Sequence, residues 1–284
     1  MPRTRTYGLD VDTIAYAARV KAGSGVTILP EPLKQLNKFI VGIKKLGLWN
    51  SMVCWPMRSI HNAGTGSTVY SLGGLGTFNG TMQNSPVWNG DGSGIFFDQV
   101  VNYKRIDIPV TTAGWTQASL CGVFRSTDIL PFTLLVTLDN GDTQNDATAK
   151  LALSLFQPNG QTIIRSQGLT GGDFSRFTGI TTLATPTGYN YFFGQTENIY
   201  DPVNGNYFIQ QNNTTVNSQL GTGTLPYTSS GTNSFLFNTY GTTATRADTA
   251  AFAVIFRRTL GLNTSNLFKQ LFRQTIGIGL NLPY

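Results

Sequence analysis

Only two glutamates, Glu31 and Glu197, and a single histidine, His61, occur in this chain of 284 residues. That scarcity limits the chemistry open to it. Retaining glycoside hydrolysis needs two carboxylates about 5 Å apart. The order Gln195-Thr196-Glu197-Asn198-Ile199-Tyr200-Asp201 marks no such pair. A lone histidine in a joint segment provides no His-based zinc site and reads as structural rather than as the base of a triad. Gly73-Gly74 and Gly171-Gly172 lack the lysine and spacing of a phosphate-cradling loop and read as turns.

One carboxylate cluster is present, Asp139-Asn140-Gly141-Asp142-Thr143-Gln144-Asn145-Asp146. Its oxygens suit Ca²⁺. Asn140-Gly141 between two strand-like runs is also an ordinary hairpin turn, and Gly141 sits where an EF-hand loop wants a ligand. The expectation is a turn, with no bound metal or other cofactor. Sugar binding asks for exposed aromatics beside amides. Tyr189, Tyr191 and Phe193 share one strand face at period two, with Asn190 on the other. Tyr189 and Tyr191 are therefore the glycan-contact candidates, with core packing as the competing role.

These residues sit in a β-rich frame. Short β-prone runs at 68–72, 77–83, 94–98 and 105–109 alternate with glycine turns, Asn79-Gly80 and Asn89-Gly90-Asp91-Gly92 among them. Further strands are expected at 116–125, 132–139, 150–156, 161–165, 189–195, 206–210, 234–238 and 249–257. Long loops are expected at 167–187 and 219–233, and a short helix over 264–274. Charged residues make up 12% of the chain and glycines number 32. This is the profile of a durable, weakly charged β protein rather than a coiled coil or a disordered tail. No run approaches a membrane span, and the N-terminus lacks the apolar core of a signal peptide. Cys54 and Cys121, 67 positions apart, read as buried thiols.

Residues 1–58 hold nine Lys/Arg against three acids, a net +6, while the rest is neutral. Asp10 or Asp12 is placed to cap a helix running to about Ala22, with Val11, Ile14, Ala15, Ala18 and Ala22 as its apolar stripe. A second helix is expected from Pro32 to Gly47. Leu33, Leu36, Phe39, Ile40, Ile43 and Leu46 form its stripe, and Lys34, Lys38, Lys44 and Lys45 its wet side. Residues 1–47 are thus expected to form an arm and helical hairpin for attachment, with a β-sandwich over 48–284. Leu36, Phe39, Ile40 and Ile43, steered by the four lysines, are the docking candidates. The excess charge favours an acidic partner, or else marks a solvated helix face. The cations are not interleaved with aromatics, so specific nucleic-acid recognition is not expected.

Asn79-Gly80-Thr81, Asn84-Ser85-Pro86-x-Trp88, Asp91-Gly92 and Ile95-Phe96-Phe97-Asp98 together resemble the opening strands of concanavalin A-like lectin/glucanase (laminin-G-like) domains. The version they look most like is carried by tailed-bacteriophage virion proteins. A helical pair, a Gly47-Leu48-Trp49 joint and an ending of strand, Leu260, short helix and Gly277-Ile278-Gly279-Leu280 also resemble that group. The resemblance frames most of 48–284. It implies a mainly β, antiparallel jelly-roll sandwich with a small N-terminal two-helix module and a short C-terminal helix. It also implies a non-enzymatic structural component of a phage virion, in the tail, fibre, baseplate or capsid decoration, assembled in the host cytoplasm. Other virion proteins, and a homo-oligomer with a trimer favoured, are the expected partners. The alternatives are a host-glycan-binding adhesin and a polysaccharide depolymerase. Glucanases of this fold use a Glu-x-Asp-x-x-Glu strand motif, which this chain lacks.

Overall fold

The computed structural model describes residues 8–98, 104–126, 133–141, 149–156, 161–167, 174–179, 188–197, 199, 206–220, 231–239 and 247–283. Helices α1 (Val11–Ser24) and α2 (Pro30–Lys45) precede strands β1 (Met52–Pro56), β2 (Thr68–Val69), β3 (Gly80–Gln83), β4 (Val87–Trp88), β5 (Ile95–Asp98) and β6 (Arg105–Ile108). There follow β7 (Ala118–Ser126), β8 (Thr133–Asn140), β9 (Leu151–Phe156), β10 (Gln161–Gln167) and β11 (Phe174–Gly179). The chain continues through β12 (Asn190–Thr196), β13 (Asn206–Gln211), β14 (Thr214–Leu220), β15 (Asn233–Thr239), β16 (Ala247–Phe256) and α3 (Gly261–Gln274).

The strands form two antiparallel sheets. One runs β14-β13-β12-β7-β16-β5-β4, with β1 also paired to β16. The other runs β11-β10-β9-β8-β15-β6-β3-β2. Side chains alternate across the first sheet as its pleat requires. Val53, Trp55, Leu120, Phe124, Phe192 and Ile255 point inward to Leu138, Leu153, Ile164 and Leu236 of the second sheet. Cys54, Cys121, Val123, Tyr191, Phe193, Phe252, Val254 and Phe256 point the other way, into a second apolar cluster. The helices cover that outer face, so the molecule has three layers: helices, sheet, sheet.

An aromatic cluster joins helices to sheet. Phe39 of α2 meets Phe252 of β16 edge-on at 5.9 Å and Phe268 of α3 at 6.2 Å. Phe272 stacks on Phe252 at 4.7 Å, and Phe268 meets Phe256 edge-on at 5.1 Å. Such pairs contribute about 0.5–1.5 kcal/mol each beyond the area they bury.

This packing corrects the docking expectation for the α2 stripe. Leu36, Phe39, Ile40 and Ile43 are all 0% exposed, covered by the chain's own sheet and by α3. An amphipathic helix buries its stripe on the nearest apolar surface, and the outer face of the sheet is that surface. The α1 stripe is also displaced. Thr13, Tyr16 and Val20 are the buried residues, while Val11, Ile14, Ala15, Ala18 and Ala22 face solvent. Asp10 caps α1 by accepting from the Asp12 amide, and Gly25 rather than Gly23 closes it in the left-handed region.

The apolar joint after Trp49 is a strand, β1, with all five residues buried. Of the expected loop 167–187, residues 174–179 form β11, and most of the remainder lies outside the described residues. Asn89–Gly92 makes the expected turn between β4 and β5, with Gly92 at φ 72°. Asn79-Gly80 makes none. Asn79 Oδ1 accepts from the Ser71 amide at 3.0 Å, and a Cβ on Gly80 would lie 2.5 Å from Ile106 Cγ2. Close packing, rather than turn geometry, requires that glycine.

Buried polar groups fix the joint between layers. Asn62 uses all its bonding capacity: Nδ2 donates to Pro56 O and Tyr70 O, and Oδ1 accepts from the Ala63 and Tyr70 amides. His61 ties in both helices. Its Nε2 bonds Gln35 Oε1 at 2.8 Å, and its backbone carbonyl accepts from Tyr16 Oη at 2.9 Å. Nδ1 has no partner among the described atoms. Burial, helped by the Arg58 cation, pulls the imidazole down to about 3. The two cysteines are free and buried, each paired across the ladder with Val254 on opposite sides of β16. Two strand spacings, about 9–10 Å, separate them, beyond disulfide reach.

Two outcomes follow. Phe39→Asp places a carboxylate in this desolvated cluster and costs several kcal/mol, so the thermal transition of the whole chain falls by more than 10 °C in calorimetry. An unchanged transition would show that the stripe is not core. Because the folded pKa of His61 lies below its unfolded value near 6.5, its contribution is intact above pH 6.5 and is lost as pH falls toward 3. Relative to His61→Asn, the native chain loses about 1.4 kcal/mol of stability per pH unit below 6 in denaturant titrations. Parallel pH profiles would refute the assignment.

Candidate functional site

A groove of about 1040 Å³ runs between α3, the β13–β14 hairpin turn and the segment after α3. The wall from α3 is dictated by spacing. Asn266, Lys269, Gln270, Arg273 and Gln274 recur at i, i+3, i+4, i+7 and i+8, one polar face of the helix. Phe268 and Phe272 hold the other side of the helix against β16. The second wall is Asn213, on a two-residue turn between Gln211 and Thr214 in which Asn212 takes a left-handed φ of 51°. Asparagine tolerates that conformation.

The third wall is the returning chain, Gly277–Pro283. Gly277 N bonds Phe272 O at 2.8 Å, and Arg273 donates to Leu282 O and Pro283 O, both at 3.0 Å. From the sandwich, Arg58 Nη1 donates to Ile276 O and Ile278 O while its Nε holds Gly92 O. The wall is thus tied to the β4–β5 turn.

Lys269 sits at the base, only 7% exposed. Its Nζ donates to Asn212 O at 2.7 Å and Asn213 Oδ1 at 3.0 Å, and stands 5.9 Å from the centre of the Tyr191 ring. Burial, followed by the neighbouring Arg273 cation, lowers its pKa. Gln210 Nε2 braces Asn266 at 2.8 Å. Among the described lining residues there are two cations, five amides and no carboxylate. Such a lining presents hydrogen-bond donors suited to anions and hydroxyl groups.

The residues singled out from sequence lie elsewhere. Tyr191 is 1% exposed and lies under the helical layer, reaching the groove only as the ring beneath Lys269. Tyr189 is buried too, its hydroxyl donating to Ser93 O at 2.6 Å and Arg125 lying over its ring. Neither presents a face to a sugar, because the outer face of their sheet is roofed. Lys34 pairs with Glu31 at 3.5 Å on the surface, and Lys38 and Lys45 are exposed. Lys44 is bound between Asp10 at 2.7 Å and Asp12 at 2.5 Å, so its charge is used within the chain.

Asp139 accepts from Thr112 N at 2.7 Å and from the Thr112 hydroxyl, fixing the bend after β6. Asp142 and Asp146 lie outside the described residues. The polar periodicity of α3 was the available signal for the groove. Its other two walls carried none.

No family model matches the sequence, and no curated protein matches it. Solved structures do. Botulinum neurotoxin type C, whose cell entry depends on interaction with two ganglioside molecules, matches with a TM-score of 0.55 at 12% identity over 80% of this chain and 53% of that one. The binding domain of botulinum neurotoxin DC in complex with SialylT gives 0.53 at 12%, covering 78% and 51%. The same domain in complex with rat synaptotagmin II gives 0.52 at 11%, covering 76% and 51%. This chain spans about half the length of these neighbours. At such identities the likeness establishes the fold: a β-sandwich of the kind found in receptor-binding domains.

Proposed function

We propose that this chain is a non-enzymatic binding module that recognises an anionic surface glycan through the α3 groove, and that it does so as a structural component of a virion. The carrying observation is the groove's lining: Lys269 and Arg273 among five amides, with no carboxylate among the described residues. Amides pair with sugar hydroxyls, while a cation stripped of water gains most from a carboxylate or sulfate substituent. The volume suits an oligosaccharide better than a single sugar. Neighbours described with ganglioside and SialylT support the glycan reading. The resemblance of the motifs between Asn79 and Asp98 to phage laminin-G-like domains supports the virion setting. The absence of a Glu-x-Asp-x-x-Glu pattern supports binding without hydrolysis.

On a glycan array the chain retains carboxylated or sulfated oligosaccharides over their neutral counterparts. Binding weakens as salt rises. Lys269→Met keeps the side-chain volume and the fold but lowers affinity about tenfold or more, as expected for a lost charge-assisted hydrogen bond. Equal retention of neutral glycans, or an unaltered Lys269→Met, refutes the groove. The virion setting is checked separately. Gold-labelled antibody against the chain decorates purified particles in electron micrographs, and bare particles would refute it.

A further inference from the structure

The outward face of α1 is apolar. Val11 is 73% exposed and Ile14 53%, and Ala15, Ala18 and Ala22 lie in the open beside them. The five recur at i, i+3, i+4, i+7 and i+11, opposite the side on which Thr13, Tyr16 and Val20 pack. A helix apolar on both sides is normally covered on both. Three alanines in this stripe let a second helix backbone approach closely, at about 8 Å between axes.

Charge surrounds the stripe. α2 presents Lys38 and Lys45 at the surface, and Lys21 stands on α1 itself. The acids Asp12 and Glu31 are already bonded to Lys44 and Lys34. A second copy would set Lys21, Lys38 and Lys45 against their like.

We infer that this face docks an amphipathic helix of a different protein, one with small apolar residues along its contact stripe and Asp or Glu along its flanks. A membrane surface fits less well, since interfacial helices insert bulky Leu, Phe or Trp, and alanines bury little. The surface shares no residue with the α3 groove, so the two assignments stand or fall separately.

The test uses the full chain and two labelled synthetic helical peptides of 21 residues. Both carry Ala and Leu at heptad a and d; one carries Glu at e and g, the other Lys. The acidic peptide binds in fluorescence anisotropy, more weakly as salt rises, and the lysine peptide does not. Ile14→Glu with Ala18→Glu lowers affinity at least tenfold without moving the thermal transition. Lys38→Glu with Lys45→Glu weakens the same peptide several-fold. Equal binding of both peptides, or of neither, overturns the proposal. So does self-association in sedimentation that Ile14→Glu abolishes, which would make the occupant a second copy. Adsorption to phosphatidylserine vesicles that the same variant abolishes would make it a membrane.

Discussion

The outward phenylalanines of β16, Phe252 and Phe256, lie on a strand whose inward residues already fill the sandwich. An antiparallel sheet usually leaves one face to water. Here Cys54, Cys121, Val123, Phe193 and Val254 extend the apolar surface around those two rings. Leaving it wet would cost about 25 cal/mol for each Å². The helices are the remedy. α2 brings Phe39 and α3 brings Phe268 and Phe272, so segments from both parts of the chain meet over one strand. Neither the helical pair nor α3 makes sense as an appendage once that face is considered.

Polar groups caught between the layers follow the same logic. Asn62 is fully bonded, and His61 remains uncharged because burial forbids the imidazolium. At the edge of the helical layer the rule relaxes. Lys269 is nearly covered, and its Nζ donates to a backbone carbonyl and an amide oxygen rather than to a carboxylate. A desolvated cation held this way is expensive in isolation and becomes cheaper when an anion arrives. The proposed groove therefore lies where core packing ends, on residues that the core itself positions.

Much of the sandwich was legible in the chain because alternation and turn residues are local signals. The strands at 105–108, 118–126, 151–156, 190–196 and 247–256 lie where their patterns put them, within a few residues. β1 was not legible. Met52–Pro56 is apolar throughout, and a continuous apolar run of that length does not reveal its period. The α1 face was misassigned for a related reason: both sides of the helix are apolar, and the side carrying Tyr16 and Val20 is the one that finds a surface in this chain. Tyr189 and Tyr191 do share a strand face, but exposure depends on what packs above the strand. The groove joins residues 213, 266–274 and 277–283, and only the middle stretch is periodic.

The pairing of β1 with β16 has a consequence for how the molecule is made. Met52 meets Phe256, roughly 200 residues later in the chain. At about 5–20 residues per second, a ribosome needs some 10–40 seconds to deliver that partner. Throughout that interval the stripe of α2 and the whole of β1 have been synthesised without the strand that covers them. Such distant contacts also slow folding after release, since the loop entropy must be lost before the contacts form. Residues 30–56, the α2 stripe and β1, are therefore the apolar segment that waits for its covering strand while the chain is made.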